Sequence, residues 1–104
     1  MNATVREYLI SKVLGMEDEE MLQSLYADYL STIDAGISDM RSQMASGDFA
    51  MLDTTAHMLK GATSTVGDSE MFDAAIRLRD AAKASDPAGV SSAAVEIETL
   101  RASR

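Results

Sequence analysis

Residues 47–68 read GDFAMLDTTAHMLKGATSTVGD. Asp48 is an N-cap signal and Gly67 a C-cap signal, so the spacing predicts a helix from about Phe49 to Val66. At about 100° per residue, Phe49, Leu52, Ala56, Leu59, Thr63 and Val66 fall on one side. Met51, Met58 and Ala62 widen that apolar arc. A helix with so broad an apolar face is the central wall of a helical core. His57 falls away from the centre of the arc, beside Asp53, Lys60, Gly61 and Ser64. The periodicity therefore predicts an imidazole on a solvent-facing strip of a helix that is otherwise buried.

The flanking sequence repeats the same grammar. A first helix is expected from about Asn2 to Leu14, with Val5, Leu9 and Val13 on one face and Gly15 at its C-cap. Asp18 caps a second, long helix whose acidic first turn, Glu19 and Glu20, suits the positive end of the helix dipole. Its stripe runs through Leu22, Tyr26, Tyr29, Ile33, Ile37, Met40 and Met44, and Gly36 within it is tolerable. Asp68 opens a fourth helix with Phe72, Ala75, Ile76, Leu78 and Ala82 inward. Asp86-Pro87 opens a fifth, as an N-cap followed by proline at the first helical position. Val90, Ala93, Ile97 and Leu100 form its stripe. Short connections between amphipathic helices imply antiparallel neighbours. The expected fold is all-α: an antiparallel up-down four-helix bundle with a short additional N-terminal helix, residues 1–104 forming one domain.

Composition narrows the function. Seventeen acidic against nine basic residues give a net charge of −8, which phosphate backbones repel, so nucleic acid is not an expected partner. There is no cysteine, which excludes disulfides and thiolate metal sites and fits a cytoplasmic location. No stretch approaches the roughly 18 apolar residues of a membrane span. Residues 1–6 lack the pattern of a signal peptide. The absence of a linker favours a free-standing carrier, with a domain of a larger sensor protein as the alternative, and a monomer is expected.

Chemistry concentrates at the only histidine. Gly61 lies one turn after His57 on the same face. A glycine inside a helix costs about 1 kcal/mol relative to alanine, and leaving the ring uncovered is one reason to keep it; a close helix crossing is the other. Ala50 and Ser64 are small and near the same face, and Asp53 borders it. Together they predict a shallow surface on which another protein can lie against the ring. Lys60 can bring an ammonium beside whatever the imidazole carries, or can simply be solvated, or paired with Asp53 or Ser64. A neutral imidazole nucleophile with a cation beside it suits phosphoryl transfer, which needs mainly positioning and electrostatics.

His57-Met58-Leu59-Lys60-Gly61, followed by Gly67, resembles the signature of histidine phosphotransfer (Hpt) domains of bacterial phosphorelays. Gly47-Asp48, Leu52 and Ala56 resemble the usual lead-in, and Leu78-Arg79-Asp80-Ala81-Ala82 resembles the family's second central helix. Asp80 stands where glutamate is commoner, and Ala62 where many relatives have serine. The resemblance implies a four-helix bundle with a short leading helix. It implies that His57 is the phosphoacceptor through Nε2, that Lys60 steadies the phosphoryl group and that Gly61 admits the partner. The implied partners are receiver domains of response regulators and of a hybrid sensor histidine kinase. They exchange the phosphoryl group through an aspartate, and Mg²⁺ is expected on the receiver. The carrier has no ATP site and no cofactor of its own.

Other readings stand beside this one. The same bundle could dock on a receiver without carrying phosphate. An enzyme using His57 as general base lacks a second histidine, a cysteine or another convincing nucleophile. A dimerisation domain would need an exposed apolar seam. His57 with Asp53 makes only two metal ligands, and Glu17-Asp18-Glu19-Glu20 reads as a helix start. The eight methionines could form a plastic binding surface; the spacing of Met21, Met40, Met44, Met51, Met58 and Met71 favours packing.

Overall fold

The computed structural model describes residues 1–104, which form helices and no strand. Helix α1 spans Ala3–Tyr8 and continues as a π-helical segment, Leu9–Leu14. Then follow α2 (Glu19–Ser46), α3 (Phe49–Val66), α4 (Ser69–Lys83) and α5 (Pro87–Ala102).

Aspartate starts three of these helices in one way. The side chains of Asp18, Asp48 and Asp68 accept from the backbone N–H of Met21, Met51 and Met71, at 3.2, 3.0 and 3.4 Å. Each satisfies one of the orphan donors of a first turn. Asp86 differs from expectation. Pro87 does occupy the first turn of α5, but the Asp86 carboxylate makes no capping bond.

The turns between α2 and α3 and between α3 and α4 close on Gly47 and Gly67, with φ of 68° and 70°. The following aspartate donates its N–H back to Gln43 and to Thr63, at 3.0 Å each. This is the Schellman arrangement, which needs a left-handed residue after the helix. The turn between α4 and α5 is built the same way on Ser85, at φ 50°, with Asp86 N–H donating to Ala81 at 3.0 Å. A C-cap directly followed by an N-cap forces each helix to double back.

Pairings across the bundle confirm the antiparallel order. On α2 and α5, Asp34 meets Arg101 at 2.7 Å and Arg41 meets Glu98, so position rises on one helix as it falls on the other. On α2 and α3, Gly36 meets Leu59, and Gln43 accepts from the Thr55 hydroxyl at 2.7 Å. Arg77 on α4 reaches Glu96 on α5 at 3.0 Å. The four long helices thus close a ring around Leu22, Ile33, Met40, Leu59, Leu78 and Ile97, all buried. The 28 residues of α2, at 1.5 Å rise each, account for the 43 Å long axis.

The leading helix lies at one end. Val5 and Leu9 are buried, and the Tyr8 ring packs directly on Gly67. Arg6 bridges to Glu17, at 2.6 Å, and to Glu19. Val13 does not join the stripe; it is 47 % exposed. The π-helical turn is wider than an α turn, so residues beyond Leu9 rotate out of phase with Val5 and Leu9.

Candidate functional site

On α3 the buried residues are Leu52, Thr55, Ala56, Leu59, Thr63 and Val66. The opposite side is open. Ala50, Thr54, His57, Gly61, Ser64 and Thr65 are all exposed, so the strip carrying His57 runs the length of the helix on its outer face. Burial of the apolar arc against α2 and α4 leaves no other orientation for it.

Within the chain, no hydrogen bond or ion pair engages the imidazole of His57, the ammonium of Lys60 or the hydroxyl of Ser64. A side chain built on Gly61 would meet nothing within 4 Å. Gly61 is therefore not a helix-crossing glycine: the space above the next turn from His57 is empty. Lys60 is half-buried on the α4 side of the strip and is paired with neither Asp53 nor Ser64. Asp53, also on the α4 side, accepts instead from Arg79 Nε at 3.1 Å. Arg79 lies in the run that resembles the family's second central helix, and that resemblance gives it no role. Its signal is faint, since pairing it with Asp53 requires the α3–α4 register.

Three methionines depart from expectation. Met51 and Met58 are 47 % and 38 % exposed. Lying at the edge of the apolar arc, they face outward on the α2 side of His57. Met21 is 48 % exposed as well, whereas Met40 and Met71 are buried as their spacing predicts. The reason for the exposure of Met58 lies on α2. A Cβ on Gly36 would stand 2.6 Å from Leu59 Cδ2 and 3.1 Å from Met58 Cε. Gly36 lets the two helices pack closely: Leu59 fills the crossing, the Met58 methyl lies at its edge, and the rest of Met58 stays on the surface. A little further along, Leu25, Asp28 and Thr32 of α2 with Ala62 and Thr65 of α3 line an open groove of about 210 Å³.

The strip thus offers one unbonded imidazole, one unpaired ammonium three residues on, clear space over Gly61 and an apolar margin at Met51 and Met58. No group of three or more histidine, aspartate or glutamate side chains converges as a metal site. The profile of the Hpt domain family matches residues 24–103. The chain belongs to the Hpt domain family. No curated protein and no solved structure matches it. Hpt domains are phosphocarriers rather than kinases, they serve histidine phosphotransfer in phosphorelays, and they interact with receiver domains. The matched span begins within α2, takes in α3, α4 and α5, and leaves the leading helix outside. No helix of this Hpt domain is long and apolar enough to cross a membrane.

Proposed function

We propose that this Hpt domain carries a phosphoryl group on Nε2 of His57, received from and returned to receiver-domain aspartates. The observation that carries the reading is the His57-Met58-Leu59-Lys60-Gly61 run on the open strip of α3, its ring unbonded and its approach unobstructed. In the forward step the Nε2 lone pair attacks the phosphorus of the receiver's acyl phosphate. The P–O bond breaks, and the aspartate carboxylate leaves with its electron pair. Lys60 stabilises the charge on the phosphoryl group in flight and at rest, and the receiver contributes Mg²⁺ and the acceptor carboxylate. The chain's own task is to present the ring at the right depth on a rigid helix.

Ala50, Gly61 and Ser64 form the floor on which the receiver lies, and Met51 and Met58 supply adaptable apolar contact at its edge. The receivers are those of response regulators and of a hybrid sensor histidine kinase, met by a cytoplasmic monomer. The test is transfer from an acetyl-phosphate-charged receiver to the wild type and to His57→Gln in parallel. Acid-labile, base-stable label on the wild type alone is expected. Equal labelling of His57→Gln would sink the assignment. Receiver binding without any labelling would leave a docking module.

A further inference from the structure

Asp53 stands one turn before His57 on the same face of α3. A free carboxylate there would sit beside the dianionic phosphoryl group, and like charges a helical turn apart repel. The carboxylate is not free. Arg79 Nε donates to Asp53 Oδ1 at 3.1 Å, and both side chains are about one-third exposed. The bond is placed by the fold: Leu78 and Ala82 bury one face of α4, and Arg79 emerges beside them toward α3. Lys60 on α3 itself is unpaired, and Asp28 on α2 lies in the groove beyond Ala62 and Thr65.

We propose that Arg79 is a positioning residue for the phosphohistidine: by holding and cancelling the charge of Asp53, it leaves Lys60 as the net counter-charge at His57. The inference rests on the reading of His57 as phosphoacceptor. It assigns Asp53 to this pair rather than to the docking floor. It also separates Arg79–Asp53 from Arg77–Glu96, a more exposed bridge between α4 and α5 that only staples the bundle.

The experiment labels the full chain with phosphoramidate, a small donor that needs no receiver. Nε2 of His57 attacks the phosphorus, the P–N bond breaks, and the protonated amino group leaves as ammonia with the bonding pair. Phosphohistidine yield is read by mass for wild type, Arg79→Gln, Asp53→Asn, the double variant and Arg77→Gln, each melted to check its fold. Arg79→Gln should lower the yield about three- to tenfold, most strongly at low salt. Asp53→Asn should match or exceed wild type, and adding it to Arg79→Gln should restore the wild-type yield. Arg77→Gln should change nothing. Wild-type labelling of Arg79→Gln, or failure of Asp53→Asn to rescue it, would overturn the proposal. A wild type that accepts label from neither phosphoramidate nor a receiver overturns the phosphoacceptor assignment itself, and this inference with it.

Discussion

At Gly61 the demands of stability and of access oppose each other, which makes the residue a sharp probe. Its added Cβ meets open space, so Gly61→Ala should stabilise the helix by about 1 kcal/mol and raise Tm by about 4–8 °C. Gly61→Arg should fold equally well and yet slow transfer from a receiver by about tenfold or more, because its bulk stands where the partner lies. Thermal melts and transfer rates on the same samples check both; a fall in Tm for the alanine variant would contradict the open geometry. Lys60→Ala should leave Tm unchanged, having no partner to lose, while slowing transfer about tenfold, the order of one lost charge-assisted contact. The sequence suffices to place His57, Lys60 and Gly61 on one strip, because the caps and the apolar arc fix the helical phase. It does not reveal Arg79, whose meaning depends on the register of two helices, nor the exposure of Met51 and Met58. Those two lie at the edge of the arc, where periodicity alone cannot decide a side.

At the scale of elements, the helix starts are legible because Asp18, Asp48 and Asp68 cap by local chemistry, and so are the stops at Gly47 and Gly67. The left-handed stop at Ser85 and the π-helical end of the first helix carry no such mark. The crossing of α2 and α3 is the least legible feature. Gly36 reads as a tolerated glycine in a long helix and proves to be a point of close packing against α3. Gly36→Val should overpack that crossing at Leu59, which is 1 % exposed and has nowhere to retreat. A loss of about 1–3 kcal/mol is expected, read as a lower midpoint in urea. Because the same crossing sets Met58 on the surface beside His57, the variant should also slow phosphoryl transfer from a receiver more than phosphoryl transfer from phosphoramidate. Equal slowing with both donors would mean that the crossing tunes His57 itself and not the docking margin.

At the scale of the whole molecule, one buried cluster ties distant parts of the chain together. Asp68, in the turn between α3 and α4, accepts from Tyr29 of α2 at 2.6 Å and from Arg104 at 2.9 and 2.8 Å. The Asp68 and Arg104 side chains are each 3 % exposed. The partners are 39 and 36 residues from Asp68 in sequence, which is why the capping role of Asp68 could be read and its ion pair could not. Removing one member of a buried pair strands the other, so Asp68→Ala should cost about 3–5 kcal/mol, a large share of the stability of a small domain. Burial alone would raise the Asp68 carboxyl, but the bonds from Arg104 and Tyr29 outweigh it and hold the group below its usual range. A carboxyl depressed in the folded state contributes stability that is complete above its unfolded value, about 4, and lost as pH falls through the lower folded one. Tyr29 is shifted the other way, raised by burial and then by its bond to Asp68. Its contribution therefore declines once pH exceeds the unfolded value of about 10. Tm should then be level between about pH 5 and 9 and fall on either side. Tyr29→Phe should remove part of the alkaline fall, and Asp68→Asn, less stable at neutral pH, should remove part of the acid fall. If Asp68→Asn instead keeps the full acid slope, the exposed carboxylates paired with arginine, Asp34 and Glu19, are what the acid limb reports.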